Sequence, residues 1–371
     1  MSQYSTDTVW VGMDIHQDSI TAAVLYGNDP EPRIERLPGD LNAVRKMFRR
    51  LSRQGALRSC YEASGAGYVL QRCLEHDGFH CEVIAPSLVP RKPGDRRKTD
   101  RLDATHLVYH YRAGNLVPVN VPSRQQEELR QLVRSRLAVQ SHITRLKNRI
   151  VRVLATHGYR HTGTKSNWTK KHRIWLRKLH REMEGPLQTV LVFHLEHLEY
   201  LEGQKHSLEA EIDRYARKGP YRKQVEALCC FRGVKVLTAM TILTELGDIR
   251  RFARPTGLMA FAGLVPSERS SGNVQRRGSI TKSGSSELRR VLVEAAWHYR
   301  IRAEADVIMK RRRMGQDPQV VAIAIKAQHR LKRTFWKIAS RKHTCTAVTA
   351  TARELCGFIW SALWVISGQK G

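Results

Sequence analysis

The sequence predicts an α/β N-terminal layer with a mixed sheet, a long antiparallel coiled-coil arm, and a mainly α-helical C-terminal region. Three observations carry this. Short β-branched runs alternate with amphipathic helical stretches through residues 1–121, the pattern of strands and helices that share one sheet. Two seams of apolar residues at 3-4 spacing follow, one after Ser123 and one after Leu187, as a pair of long packed helices requires. From Val225 onward the apolar residues fall into helical segments around one Ser- and Gly-rich loop. The expected domains are therefore 1–121, an arm over 122–218 carrying a basic aromatic insertion at 156–186, and 219–371.

Residues 8–15, Thr-Val-Trp-Val-Gly-Met-Asp-Ile, read as a buried strand with Asp14 near its end. A carboxylate in an apolar strand is costly unless it is paired or bound to metal. Residues 19–26 form a second strand across a short turn at His16–Asp18, and 33–37 a third. A helix over 41–53 follows Gly39-Asp40, with Leu41, Val44, Met47, Phe48 and Leu51 on one stripe. Residues 57–63 form a further buried strand that ends in Glu62, and Gly65-Ala66-Gly67 leads to a helix over 68–76 and a strand over 81–85. Asp14 and Glu62 thus fall near the C-terminal ends of strands, where open α/β sheets present their sites.

After the basic loop 90–98 comes Lys98-Thr-Asp-Arg-Leu-Asp. On a helix, Asp100 and Asp103 are three residues apart and share a face. Two carboxylates so close repel unless a proton or a cation sits between them, and an oxygen-rich pair suits a hard divalent ion such as Mg²⁺. Arg97, Lys98 and Arg101 beside them either balance the acids or contact nucleic-acid phosphates. Taken singly, each acid reads as an ordinary structural or solvated ion-paired group. Taken together, Asp14, Glu62, Asp100 and Asp103 form a cage for two metal ions about 4 Å apart, an arrangement suited to phosphodiester cleavage. The helix runs on to Gly114, and 117–121, with Pro118 inside it and Pro122 just after it, reads as an extended linker.

Ser123 is a good N-cap for the next helix, whose seam is Leu129, Leu132, Val139, Ile143, Leu146, Ile150 and Val153, broken once at Arg136. A second helix over 187–217 carries Leu191, Leu198, Leu201, Leu208, Ile212 and Tyr215, broken at His194 and Lys205. The matched seams give an arm that could also dimerise, with ordinary bundle packing as the alternative. The connection between them is dense in cations, Lys170 and Lys171 among them, with Tyr159, Trp168 and Trp175 interspersed. Such a mixture suits backbone contact and stacking on unpaired bases, or else tryptophans that anchor the insertion to the arm.

The charge narrows the partners. The 371 residues carry 64 Lys+Arg against 34 Asp+Glu, a net charge of +30 spread along the chain, so a long polyanion, DNA or RNA, is the expected partner. No apolar run of membrane-spanning length and no signal-peptide pattern is present, and seven cysteines without a CxxC pair read as reduced thiols of a cytoplasmic protein. No zinc spacing occurs among the cysteines, and the sixteen histidines include no HExxH motif.

In the second half, Phe231-Arg-Gly-Val before an apolar helix resembles a helix-hairpin-helix turn whose backbone N–H groups could meet a phosphate. The loop between Phe261 and Glu287 holds Ser267, Ser270, Ser271, Ser279 and Ser283 among Arg276, Arg277 and Lys282. A serine there is either a nucleophile toward phosphate, with the cations stabilising charge, or part of a phosphate-binding loop; composition does not choose among the five. The region 310–342 is strongly basic, and 355–366 is an apolar docking helix with two tryptophans.

Val11-Gly-Met-Asp14-Ile-His, Tyr61-Glu62-Ala-Ser-Gly and Lys98-Thr-Asp100-Arg-Leu-Asp103-Ala resemble the Asp-Glu-Asp-Asp (DEDD) catalytic domain of the Piv-related insertion-sequence transposases. The segment 228–252, Ala262-Gly-Leu-Val-Pro, Ser270-Ser-Gly, Ile280-Thr-Lys-Ser-Gly and Leu288-Arg-Arg resemble their C-terminal transposase domain. The resemblance implies a RuvC-like, RNase H-like first domain binding Mg²⁺ through Asp14, Glu62, Asp100 and Asp103, two ions with Mn²⁺ as a substitute. It implies a serine from the second domain, often of another protomer, that attacks the scissile phosphate to form a phosphoserine intermediate. The family serine precedes a glycine, which points to Ser271 before Gly272, with Ser270 its neighbour. Members excise and insert their own element by DNA strand exchange, guided by an element-derived noncoding bridge RNA, so DNA, that RNA and a dimeric or tetrameric homo-oligomer are the implied partners, in a bacterial or archaeal cytoplasm at the nucleoid. Arg97, Lys98, Arg101, Trp168, Lys170, Lys171, Arg276, Arg277, Lys282 and Arg289 are the expected nucleic-acid contacts. Where the family often has Asn after the Lys-x-Gly, this chain has Ser285, a change expected to affect loop capping rather than chemistry. A metal-dependent nuclease or junction resolvase using activated water is the alternative, and a non-catalytic nucleic-acid scaffold is a third reading.

Overall fold

The fold is that of a computed structural model, which describes residues 8–63, 65–90, 99–271, 274–301 and 307–368, without the side chains of 269–271, 274, 275 and 277. Two compact units divide the chain, Met1–Pro122 and Ser123–Gly371.

The first unit is built on a five-stranded mixed sheet. Its elements are β1 (Thr8–Ile15), β2 (Ser19–Tyr26), β3 (Arg33–Pro38), α1 (Leu41–Leu51), β4 (Ala56–Glu62), α2 (Val69–His76), β5 (His80–Ile84) and α3 (Asp100–Arg112). The strand order is β3-β2-β1-β4-β5, with β1–β2 and β2–β3 antiparallel and β1–β4 and β4–β5 parallel. Strand side chains alternate between faces, and both faces here are buried. Val9, Val11, Met13, Val24 and Tyr61 pack with Val44, Met47, Phe48, Leu70 and Leu74 of α1 and α2 on one side. Trp10, Ala23, Leu25 and Cys60 pack with Ala104, Leu107, Val108 and Tyr111 of α3 on the other. Each fully buried Val, Leu, Met or Phe among them contributes about 1.5–3 kcal/mol. The stretch 117–121 is more than a linker: Ala85 N–H donates to Val117 O (3.2 Å) and Val119 N–H to Val83 O (2.6 Å), so it lines the free edge of β5. Pro118 lacks the N–H donor a regular strand needs, which is why the pairing stops at isolated contacts.

The second unit is mostly helical: α4 (Arg124–Thr156), α5 (Lys170–Glu182), α6 (Pro186–Lys218), α7 (Arg222–Cys229), α8 (Val236–Leu246), α9 (Pro255–Phe261), the ribbon β6 (Pro266–Ser271) and β7 (Val274–Ile280), then α10 (Ser286–Trp297), α11 (Val307–Arg313), α12 (Pro318–Ala339) and α13 (Thr344–Gly368). Ser123 caps α4, accepting from Gln126 N–H at 3.2 Å. The long helices α4 and α6 pack along each other in opposite directions, since Arg136 pairs with Glu209 while the later Lys147 pairs with the earlier Glu202. Arg136, the break in the first seam, is thereby accounted for: its Nε donates to Glu209 at 2.8 Å across the helix pair. At His194, the break in the second, burial pushes the imidazole pKa below its ordinary value. The connecting α5 closes on the same core through Leu176 and Leu179. Glu202 accepts from Arg173 at 2.7 and 3.1 Å and lies 2.8 Å from Lys147. Arg173's hydrogen bonds, followed by those of Lys147, hold its carboxyl down at about 2 against a smaller opposing effect of burial.

The rest of the unit surrounds α8, buried from Ala239 to Leu246, as expected of a helix apolar on all sides. Its threonines satisfy themselves, Thr241 and Thr244 donating to Leu237 O and Met240 O at 2.8 Å each. The turn at Gly233 takes φ +80 and packs so closely on α10 that an added Cβ would lie 2.5 Å from Ala295 O. This turn is a packing device, with Phe231 and Val234 fully buried beside it. The helix read at 355–366 begins eleven residues earlier, at Thr344, because its first turns are Thr- and Ala-rich and carry little apolar signal. No helix among the described residues is long and apolar enough to cross a membrane.

Candidate active site

The site of the first unit follows from two periodicities meeting. Along β1 the even positions Trp10, Gly12 and Asp14 face α3, and along β4 so do Cys60 and Glu62. Met13 pairs with Tyr61 in the parallel register, so Asp14 and Glu62 are adjacent one step further on. Gly12 lets α3 come down onto the strand: a Cβ there would lie 2.6 Å from Val108 N and 2.8 Å from Ala104 O. On α3 the stripe facing the sheet is Ala104, Leu107, Val108 and Tyr111. Asp100 and Asp103 precede Ala104 and Leu107 by one helical turn, so they continue that stripe past the last apolar contact and over the strand ends. Both lie in the first turn, where the positive end of the helix dipole favours carboxylates, and Thr99 caps it by accepting from Leu102 N–H at 3.3 Å.

The turn after β1 adds a residue. His16 N–H donates to Ser19 O at 2.9 Å to close it. The imidazole Nε2 lies 3.4 Å from Asp14 Oδ2 and 3.5 Å from Asp100 Oδ1. Asp14, His16 and Asp100 offer ligand atoms all within 4.8 Å of one another. Asp14 is the most sheltered of the three, its side chain 21% exposed against 57% and 53% for His16 and Asp100. A cleft of about 600 Å³ opens on Asp14 and His16, lined also by Ile15, Gln17, Glu62, Gly65 and Ala66. The residue after Ala66, Gly67, accepts from the Tyr61 phenol at 2.9 Å. Two carboxylates and an imidazole at these separations are a donor set that fits a divalent cation. Asp14, Asp100 and Glu62 were singled out in the sequence. His16 was read as part of a turn and as the end of the Val11–His16 motif, without a ligand role, and its signal is the Asp-x-His spacing at a strand end.

In the second unit the Ser-rich loop is a two-stranded ribbon with Ser271 paired to Val274 at its tip. Its strands are rich in Ser and Arg with little apolar content, so no strand period shows in the sequence. The side chains of Ser270, Ser271 and Arg277, and the residues Arg97, Lys98 and Gly272, lie outside the described residues. Arg101, Lys170, Lys171, Arg276 and Lys282 are exposed. Arg289 is turned inward, its Nη1 donating to Ala262 O and Ser283 O at 3.1 Å each and clamping the base of the ribbon. Trp168 is half-buried between Lys147 and Arg173, 5.3 and 5.8 Å from its ring, and Trp175 packs beside it on the arm. These contacts are those of anchoring tryptophans.

Below the ribbon, Ser285 caps α10 by accepting from Leu288 N–H at 3.2 Å and donates to Glu245 Oε2 at 2.9 Å. Glu245 is buried and receives a two-pronged Arg134 at 2.7 and 2.9 Å. Burial pushes the Glu245 carboxyl up, but the hydrogen bonds and charge of Arg134, with Ser285 and Arg130, outweigh it and hold the pKa below the ordinary value. A depressed carboxylate pKa stabilises the fold above the unfolded value, 4.5 for a model glutamate, and that contribution is lost as pH falls through the folded value. Glu245→Gln is expected to cost about 2 kcal/mol at neutral pH, less than a fully buried pair because Arg134 is half-exposed. Chemical denaturation against pH checks this: the variant's deficit should shrink below pH 4.5, and a deficit constant with pH would contradict it.

Comparison with known proteins agrees with this geometry. A transposase family model of the DEDD, IS110 type matches residues 11–158, a span that holds the Asp14 end of β1 and all of β4 and α3. A second, described as Transposase IS116/IS110/IS902 family, matches residues 225–311. The chain is 37% identical over 303 residues to a putative transposase of Sinorhizobium fredii, covering 81% of this chain and 74% of that one. It is 31% identical over 339 residues to the transposase for insertion sequence element IS1533 of Leptospira borgpetersenii, covering 90% and 97%. A probable family 20 transposase of Pseudomonas aeruginosa is 28% identical over 311 residues. With both family models in order along one chain, and an acidic cluster at the strand ends of the first, the chain belongs to the IS110/IS116/IS902 family of insertion-sequence transposases.

Proposed function

We propose that this transposase cuts and rejoins DNA strands at the ends of its element and at a target, with Asp14, Glu62, Asp100 and Asp103 holding Mg²⁺ and Ser271 as the nucleophile. The observation that supports this most is the approach of Asp14, His16 and Asp100 within 4.8 Å beside the cleft that Glu62 lines. Two ions are expected, with Mn²⁺ as a substitute; when bound they would stabilise charge on the phosphate oxygens. The Ser271 hydroxyl oxygen forms a bond to phosphorus, its proton is lost, and the bond to the leaving deoxyribose oxygen breaks as that oxygen gains a proton. Attack by the hydroxyl of a second strand reverses the step, restores the phosphodiester and frees the serine, so exchange needs no outside energy source. Exposed Arg101, Arg276 and Lys282 are suited to the strands being exchanged.

Residues 1–121 would be the RuvC-like catalytic domain, 122–218 a coiled-coil arm, and 219–371 the serine-bearing domain, working as a dimer or tetramer. An element-derived bridge RNA would choose donor and target, engaging cations of the insertion such as Lys170 and Lys171. Sequencing the nucleic acid that co-purifies with the protein tests this: one discrete structured RNA is expected, and its digestion should abolish site-specific cutting. Cutting at element ends that survives digestion would overturn the guided reading.

A further inference from the structure

We propose that the exposed face of α12 binds an unpaired nucleic-acid strand, with Trp336 as the stacking platform. This rests on neither the acidic cluster nor Ser271, and α12 lies beyond the residues that the two family models match.

The helix is amphipathic in an uncommon way. Val320, Ala324, Ala327, Leu331 and Phe335 form its buried stripe, and no acidic residue occurs between Pro318 and Ala339. At 100° per residue, Lys326, His329, Arg333, Trp336 and Lys337 fall together on the opposite side, and all five are exposed. Among the described residues Lys326, Arg333 and Lys337 pair with no carboxylate, whereas Arg330 on the flank reaches Glu354 at 3.0 Å. Unbalanced cations in a row attract a polyanion, and from Lys326 to Lys337 the row extends about 16 Å.

Trp336 decides which polyanion. It is 54% exposed beside Arg333 and Lys337 at the C-terminal end of the cationic face, yet it is not loose. Its Nε1 donates to Arg300 O at 3.2 Å, and its ring meets Phe335 edge-on at 5.5 Å. The indole is fixed by its polar edge while its faces stay available. Elsewhere in the unit, Trp360 and Trp364 make the comparable bond to Phe252 O but are half-buried. A fixed, exposed aromatic among cations gains nothing from a duplex, whose bases are already stacked, and fits a strand with free base faces.

The test uses the full-length protein without divalent metal, so that cleavage does not intervene. Binding of fluorescein-labelled oligothymidylate and of a labelled duplex is followed by anisotropy. Trp336→Ala should weaken oligothymidylate binding about tenfold and duplex binding by less than about twofold, while Trp336→Phe retains most of the wild-type affinity. Replacing Lys326, Arg333 and Lys337 together by Gln should reduce the salt slope for the unpaired strand by about 2. Oligouridylate identifies the sugar: a loss shared by both oligomers, or confined to one, supports the proposal and names the strand. A 5-iododeoxyuridine oligomer should photocrosslink to the peptide containing Trp336. Unchanged binding after Trp336→Ala, an equal loss on duplex, or a crosslink that maps only elsewhere would overturn the proposal.

Discussion

Replacing Asp14 with Asn is expected to lower strand cleavage by at least about a thousandfold, with DNA binding changed less than about twofold. Asp14 is the sheltered member of the cluster and the point at which β1, the turn carrying His16 and the N-terminus of α3 converge. The amide keeps its size and one acceptor but loses the charge that a hard cation requires. Stability should move the other way, because removing one of two neighbouring carboxylates relieves repulsion with Asp100. The variant should therefore melt no lower than wild type while being inactive, a combination that a purely structural role would not produce. Mn²⁺ titration followed by electron spin resonance should show weakened binding in the same variant. Asp18→Asn, in the same turn but outside the cluster, serves as the control and should cut normally. Retained cleavage in Asp14→Asn would remove the metal site from the account.

Ser271→Ala should abolish cutting and covalent attachment together, by at least about ten-thousandfold, while leaving Mn²⁺ binding at the first unit intact. A hydrolase using activated water would still cut. Ser270→Ala is the sharper comparison, since Ser270 and Ser271 are consecutive strand residues paired to Gln275 and Val274. The family serine immediately precedes a glycine, as Ser271 precedes Gly272 and Ser270 does not, so the two replacements should not be equivalent. Denaturing gels of end-labelled element DNA check both: a protein-shifted band should persist in Ser270→Ala and vanish in Ser271→Ala. If Ser270→Ala is the variant that loses the band, the nucleophile assignment moves by one residue.

Much of the fold was legible because long-range order here follows local period. The strands of the first unit are β-branched runs, and the seams of α4 and α6 are regular enough that the helix ends fall within three residues of expectation. Three features were not legible, each for a physical reason. The closeness of α3 to β1 depends on Gly12, and a glycine in a strand reads as a weakness until the helix over it is known. The ribbon at 266–280 has no apolar face, so it carries no periodic signal. His16 joins the acids because a tight turn folds it back beside Asp14 and Asp100, and turn geometry is poorly encoded in composition. Of the candidate site, the acids at the strand ends and the helix start could be read from residue type and position. Ser271 could be read only from family likeness, because it shares its loop with four other candidate serines, Ser267, Ser270, Ser279 and Ser283.

The central claim is that the attacking oxygen belongs to the protein. Wild-type protein is incubated with element DNA, Mg²⁺ and its RNA in ¹⁸O-water, and the trapped material is digested with protease and nuclease for mass spectrometry. The account predicts a nucleotide-modified peptide containing Ser271 and no ¹⁸O in the newly formed phosphate termini. Cleaved ends carrying ¹⁸O, with no modified serine peptide, would contradict it.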